Sequence, residues 1–291
     1  QRQMCIRDSE YTDKKEKGDT DTDTLVTKHQ FHLGINDEVL SGKIKYMEVH
    51  DATGHIFWQD DYTWQARDLH QGQEGDTRTV RFAALEEKTH RIVEGGQYSP
   101  ITLTTQFDYD DYGNKTLERR LERSDQRWQI AHRIEWTYSG DYAANVEQNK
   151  VNYPIEKRTI SDAGKVLSRE RWVYDDESFN VDGSNIIDSG FLSAHLEWIS
   201  PSQTDSYRYT VRQRHDQYGN VIAKQGPMWG MQAGHARYFK YDDTFHAFAT
   251  SETIDTGSTH LTTFANYDYR FGVITHVKDM NCLLYTSDAA D

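Results

Sequence analysis

Apolar and polar positions alternate along most of this chain. In Arg133-Ile134-Glu135-Trp136-Thr137-Tyr138, Ile134, Trp136 and Tyr138 fall on one side and charge or hydroxyl on the other. Tyr207 to His215 repeats the pattern with Tyr207, Tyr209 and Val211. A period of two marks a strand with one covered face, whereas an amphipathic helix repeats every ~3.6 residues. The helical period barely occurs. Phe82 to Ile92 is the one stretch that could be a helix, and its His and Thr near the end leave a strand equally open.

The strands are punctuated by a recurring phrase. His50-Asp51-Ala52-Thr53-Gly54-His55, Tyr109-Asp110-Asp111-Tyr112-Gly113-Asn114 and His215-Asp216-Gln217-Tyr218-Gly219-Asn220 share an Asp and, three places on, a Gly. Ser161-Asp162-Ala163-Gly164-Lys165 reads as a copy one residue tighter, and Tyr267-Asp268-Tyr269-Arg270-Phe271-Gly272 as one residue longer. Asp opening a type I turn accepts from the turn's own amides, and the closing Gly takes the left-handed conformation of a bulged hairpin. The candidate structural positions are therefore Asp51, Gly54, Asp110, Gly113, Asn114, Asp162, Gly164, Asp216, Gly219, Asn220, Asp268 and Gly272. The glycines recur roughly every 50 to 60 residues, too unevenly for identical solenoid rungs but consistent with one reused hairpin unit.

Composition fits wet, two-faced sheets. The chain carries 18 Tyr, 11 Phe and 7 Trp against 4 Pro, and only 36% hydrophobic residues at a mean hydropathy of −0.88. Disordered chains are as hydrophilic but poor in aromatics, so disorder is the weaker account. A net charge of −14 argues against phosphate backbones and anionic lipid as partners. No apolar run approaches the ~18 residues of a spanning helix.

Both tails read as foreign. Back-translated, Gln1 to Asp8 can be written CAGCGTCAGATGTGTATAAGAGAC and Cys282 to Asp291 TGTCTCTTATACACATCTGACGCTGCCGAC, which are reverse complements over their shared length. Unrelated termini have no reason to encode opposite strands of one DNA, and the string resembles a sequencing-library adapter read in frame. The expected layout is then an adapter scar at 1–9, a charged linker at 10–28, a β region at 29–125, a hairpin-repeat region at 126–281 and a second scar at 282–291. Cys5 and Cys282 both lie in the scars, which leaves no disulfide framework, zinc knuckle or thiol nucleophile. The polar stretches Ser139 to Asn152 and Glu177 to Ser189 read as long hairpin excursions.

Catalytic and metal signals are weak. Asp19, Asp21 and Asp23 have the alternate spacing of a calcium loop but lack its Gly bend and distal bidentate acid, so they read as a solvated charge run. His29 with His32, and His50 with His55, are too sparsely partnered for a metal. Nucleophile elbows, phosphate loops and dinucleotide fingerprints are missing from the sequence. Tyr and Trp on alternating strands could line a saccharide site, but cross-strand packing pairs are the commoner use of such stripes. The expectation is a non-enzyme with no cofactor and no metal.

Eight blocks carry a resemblance. Asp37 to Lys43, the Asp51–Gly54 turn, Tyr62 to Leu69 and Phe107 to Asn114 look like the middle region of the B component of insecticidal toxin complexes, the TcdB/SpvB family. His215 to Asn220, Tyr241 to Thr250, Tyr267 to Gly272 and Asp279 to Asn281 resemble that family's passage into RHS or YD repeats. The resemblance implies an all-β fold of antiparallel hairpin repeats with little helix, forming part of a shell, or cocoon, around a toxic domain. It implies a secreted bacterial protein whose partners are a toxin C component or fused carboxy-terminal toxic domain, and a channel-forming A component docked through an upstream propeller. Nucleic acid and membrane insertion by this segment are not implied. An extracellular RHS/YD surface protein binding carbohydrate or another cell is the alternative. Winding a strip against its own previous turn would bury the strand edges that otherwise template aggregation.

Overall fold

The computed structural model describes residues 11–17, 24–71, 79–93, 101–124, 127–178, 185–199, 206–227 and 236–286. The chain forms two compact units, Gln1–Trp136 with Arg158–Leu167, and Thr137–Lys157 with Ser168–Asp291. Strands dominate both.

The first unit is a meander. Its strands are β1 (Tyr11–Lys17), β2 (Thr24–Phe31), β3 (Ile44–Asp51), β4 (Ile56–Gln71), β5 (Thr79–Ile92), β6 (Ile101–Tyr109), β7 (Lys115–Ser124) and β8 (Arg127–Tyr138). Each is paired antiparallel with the next. A single-turn helix, α1 (Ala143–Glu147), follows β8, and β9 (Pro154–Ser161) leads through the turn at Gly164 into β10 (Val166–Tyr174). In the second unit β10 pairs with β11 (Leu192–Trp198), then come β12 (Tyr207–His215), β13 (Val221–Gln225), β14 (Ala236–Tyr241), β15 (Ala249–Asp255), β16 (His260–Asp268), β17 (Val273–Lys278) and β18 (Leu284–Thr286), again each antiparallel to its predecessor. The expected all-β hairpin class, with little helix, is what the structure has.

Several expectations change. Phe82 to Ile92 is strand throughout, because β5 is laddered to β4 and β6 and its amides are used between strands. The stretch 10–28 is no linker: β1 and the first half of β2 lie in it, and β2 runs register-matched along β3 from Leu25↔Asp51 to His29↔Met47. A charged strand is compatible with a ladder because backbone groups make the pairing and charge is a normal feature of sheet edges. The boundary drawn between 125 and 126 falls at the end of one hairpin, with Ser124 opposite Arg127. Leu284–Thr286, in the stretch read as a scar, adds a short strand to β17. Residues 1–9, Cys5 and Asp19, Asp21 and Asp23 lie outside the described residues.

The apolar core is lean. Val173, Ala194 and Leu196 form a buried cluster with Tyr207 and Tyr209 packed on it. The excursion Ser139 to Asn152 supplies a polar core. Asn145 on α1 is fully buried and donates to the carbonyls of Ser139 (3.0 Å) and Asn185 (2.8 Å), while its Oδ1 accepts from the Ile187 amide (2.8 Å). Ser139 Oγ donates to Lys150 O at 2.7 Å, and Lys150 Nζ reaches the carbonyls of Ile187 and Asp188. This amide stitches the excursion to the described end of the Glu177 to Ser189 stretch and seats Ile187, which is 1% exposed. Asn145→Ala should cost about 2–4 kcal/mol, because buried backbone groups lose their partner without access to water. Urea unfolding of the full chain measures it, and a midpoint matching the unsubstituted chain would show that water replaces the amide.

Candidate functional site

The hairpin tips are the best organised places in the molecule. At the first, Asp51 Oδ1 accepts from the amides of Thr53 and His55, both at 2.9 Å, and Gly54 N–H closes the turn onto Asp51 O at 3.1 Å. At the second, Asp110 Oδ1 accepts from Tyr112 N–H (3.0 Å) and Asn114 N–H (2.8 Å), and its Oδ2 from Asn114 Nδ2 (2.8 Å). Asp216 does the same with Tyr218, Asn220 and the Asn220 side chain, at 2.9, 2.9 and 3.0 Å. Asp268 caps a turn one residue longer, with Gly272 N–H on Asp268 O at 2.9 Å. Gly54, Gly113, Gly219 and Gly272 all have positive φ, +87°, +86°, +87° and +67°, so the residue type at the fourth or fifth place follows from the backbone.

One assignment is corrected. The tip between β9 and β10 opens at Ser161, not Asp162: Gly164 N–H bonds Ser161 O (3.0 Å) and Lys165 N–H bonds Ser161 Oγ (3.2 Å). It has the ordinary length, with a hydroxyl replacing the carboxylate, and Asp162 is exposed one place further on.

Other tips escaped the pattern. Asp175, itself at φ +54°, accepts from the amides of Asp188, Gly190 and Phe191. Asp242 accepts from four, those of Thr244, Phe245, Ala247 and Phe248, around a loop whose His246 is left-handed at φ +53°. Asp279 accepts from Asn281 and Leu283 (2.9 and 2.8 Å), and Cys282 takes the glycine's place at φ +63°. For two of them a signal existed, since Tyr174 and Tyr241 stand directly before Asp175 and Asp242.

That tyrosine has its own task. Tyr109 OH donates to Leu85 O (3.0 Å), Tyr174 OH to Pro154 O (3.2 Å), Tyr241 OH to Val221 O (3.2 Å) and Tyr267 OH to Ala249 O (3.0 Å). Each reaches a carbonyl 18 to 24 residues earlier, so a Tyr-Asp dyad ties a hairpin to its predecessor while the Asp shapes its tip. The ladder shifts register at the same place, between Asp108 and Tyr109, Lys240 and Tyr241, and Asn266 and Tyr267. Such bulges re-aim the strand end.

In an antiparallel meander alternate connections emerge at the same edge of the sheet. In the second unit this groups Asp175, Asp216, Asp242 and Asp268, and rings join them: Phe191 on His215 (5.1 Å), Tyr218 on His246 (4.0 Å) and Phe245 on Tyr269 (5.3 Å). Asn220 Nδ2 also donates to His246 O at 2.6 Å. In the first unit the Asp51 and Asp110 tips lie at opposite ends, by the same counting. The tip glycines divide accordingly. A Cβ on Gly219 would sit 2.9 Å from Phe191 Cε1, and one on Gly113 3.4 Å from Leu69 Cδ1, whereas Gly54 and Gly164 have nothing within 4 Å.

The electrostatics are those of satisfied caps. Burial would raise the Asp242 carboxyl, but the amides of Phe245, Phe248, Ala247 and Thr244 outweigh it and hold the group well below the ordinary carboxylate range. Asp216 is likewise lowered against burial by its Asn220 and Tyr218 donors. The Thr53 hydroxyl and the His55 amide lower Asp51, and Arg270 lowers Asp268. Lone pairs spent on backbone amides have little left for substrate. Among the described residues no three His, Cys, Asp or Glu side chains converge as metal ligands, and no helix is long and apolar enough to cross a membrane.

The fold has a counterpart among solved structures. A chain of the crystal structure of TcdB2-TccC3-TEV matches over 93% of this chain with a TM-score of 0.61 at 11% identity. The match spans 19% of that chain, so this protein covers about a fifth of its length. At that identity the likeness establishes the fold alone, an all-β arrangement of antiparallel hairpins. A porin-like protein from Bacteroides uniformis aligns over 90% of the chain at a TM-score of 0.25 and 13% identity, which carries no argument. No family profile matches, and no curated protein sequence matches.

Two expectations follow. Gly54→Ala should cost about 1 kcal/mol, the strain of a left-handed residue, while Gly219→Ala should cost at least about 1 kcal/mol more because Phe191 must also move. Equal losses in chemical unfolding would remove the ring contact from the account. For Asp242, a folded pKa below the unfolded value of ~3.9 contributes stability that is present at neutral pH and lost as pH falls through the folded value. Asp242→Asn should lower the thermal midpoint at pH 7 and flatten its decline in acid; a parallel decline would mean other carboxylates dominate.

Proposed function

We propose that this chain is a stretch of shell wall in a secreted toxin-complex subunit, and that the whole shell encloses and delivers a toxic carboxy-terminal polypeptide. The observation that carries the reading is the repeated Tyr-Asp tip, tied hairpin to hairpin, on a fold matched by the TcdB2-TccC3-TEV chain over nearly the whole of this one. Fold likeness supports the architecture; the family resemblance in the sequence supports the cargo. A strip whose polar groups are consumed by its own backbone is suited to containment rather than turnover. The partners are then a toxin C component or fused toxic domain inside the shell, and a channel-forming A component engaged through a propeller encoded upstream.

A long read of the intact gene across both junctions tests this. Propeller-coding sequence upstream, with further YD repeats and a variable domain downstream, is the expected result. The encoded full-length protein should then shield that domain from added protease. A wall or membrane anchor in place of the variable domain would overturn the reading in favour of a surface adhesin.

A further inference from the structure

At the Asp51 and Asp216 tips a histidine stands where other tips have the anchoring tyrosine. Tyr109, Tyr174, Tyr241 and Tyr267 reach carbonyls of the preceding hairpin, whereas His50 and His215 have no hydroxyl to do so. His50 turns its Nδ1 onto Asp51 O at 2.8 Å. His215 stacks on Phe191 instead, with ring centroids 5.1 Å apart and planes 28° apart.

Phe191 is the fixed member of that stack. Its N–H donates to Asp175 Oδ1 (3.0 Å) and its carbonyl accepts from Asp175 N–H (2.9 Å). The same ring lies against Gly219, where an added Cβ would meet it at 2.9 Å. The β12–β13 tip therefore rests on one ring, through His215 as the chain enters the turn and Gly219 as it leaves. Beside the stack an open hollow of about 410 Å³ is lined by both His215 and Phe191. Its charged groups are Asp175 and Glu177 after β10, Asp188 before β11, and Arg214 and Asp216 on either side of His215. From β13, Val221 stands opposite His215 and its carbonyl holds Tyr241 OH; the next tip brings His246, stacked on Tyr218. Asp175 and Asp216 are committed to turn amides, while Glu177 and Asp188 are exposed.

We propose that His215 is an acid-sensitive latch: neutral, it holds the β12–β13 tip on Phe191, and protonated, it leaves that ring for the acidic hollow and frees the tip while tyrosine-anchored tips stay closed. Burial beside Phe191 disfavours the charged imidazole more than Asp175 and Asp216 favour it, so the group titrates below its ordinary value of 6.5. The open tip then binds a proton more readily than the closed one. The latch's contribution is complete above 6.5 and is lost as pH falls from there through the lower, closed-state value. The device belongs to this hairpin and is independent of what a shell would enclose.

The test is NMR of the full chain from about pH 7 to pH 5, following histidine ring signals and amide hydrogen exchange corrected for its intrinsic pH dependence. The ring signal that disappears in His215→Phe should titrate below 6.5. Protection of the Tyr218 and Asn220 amides should fall by about tenfold for each pH unit between the open and closed values of the histidine. The Tyr112 and Asn114 amides are the internal control, because Asp110 caps them in the same way while Tyr109 anchors their hairpin, and they should keep their protection. His215→Phe, which keeps a ring on Phe191, should hold the Tyr218 and Asn220 amides constant over this range. Glu177→Gln with Asp188→Asn should reduce the fall without abolishing the titration. Phe191→Leu, which removes the stacked ring and keeps the histidine, should bring its titration back toward 6.5. An equal fall at the two tips, a fall that persists in folded His215→Phe, protection that stays constant while His215 titrates, or a titration unmoved by Phe191→Leu would overturn the latch.

Discussion

The described hairpin tips depend on a side-chain oxygen, usually a carboxylate, accepting the amides of its own turn. A β-strand has a period of two, so a slip of one residue would carry every side chain to the wrong face. The tips prevent the slip. With Asp110 Oδ1 committed to Tyr112 and Asn114, only one pair of residues can open the β6–β7 ladder, Tyr109 with Lys115. The extra residue that the turn leaves over is absorbed as a bulge beside the tyrosine, which then points back at the preceding hairpin. Turn, bulge and anchor are thus consequences of one local set of hydrogen bonds.

This explains how much of the structure could be read in advance. Period two identified the strands, and Asp-x-x-Gly identified tips wherever both residues had their usual identity. Phe82 to Ile92 stayed ambiguous because apolar and polar residues cluster there, and the decision belongs to β4 and β6, the flanking strands that pair with it. Ser161 was passed over for Asp162 because a hydroxyl caps as a carboxylate does but advertises it less. Asp242 spreads its acceptors over a wider loop with a left-handed His246, a conformation that Gly would normally signal. The partner carbonyls of the tyrosines carry no sequence signal at all, since any residue presents one.

Stability must come from somewhere other than a large apolar interior. Ion pairs such as Arg91–Asp61 and Arg119–Asp108 join neighbouring strands, but half-exposed pairs of this kind are worth at most ~1 kcal/mol each. The rings matter more. Tyr218 on His246, Phe191 on His215 and Phe248 on Tyr267 join successive hairpins where the tips already align them, so little further ordering is required to form the contact. The same alignment makes glycine obligatory twice over at Gly219, for its φ and for the ring beneath it, and once only at Gly54.

A division of labour follows along each strand. The ends are constrained, because turn, bulge and anchor must all be satisfied by few residue types. The middles are constrained only by alternation, so residues there can change in kind without disturbing register. That is where the first unit places Lys88, Thr105, Arg120 and His132, a row that a packing requirement alone would fill with branched aliphatic residues. The charges there are matched: Asp60 holds Lys88, and Glu118 holds both Lys115 and Arg120. Architecture therefore resides at the strand ends, and the faces between them are where side-chain chemistry is left to vary.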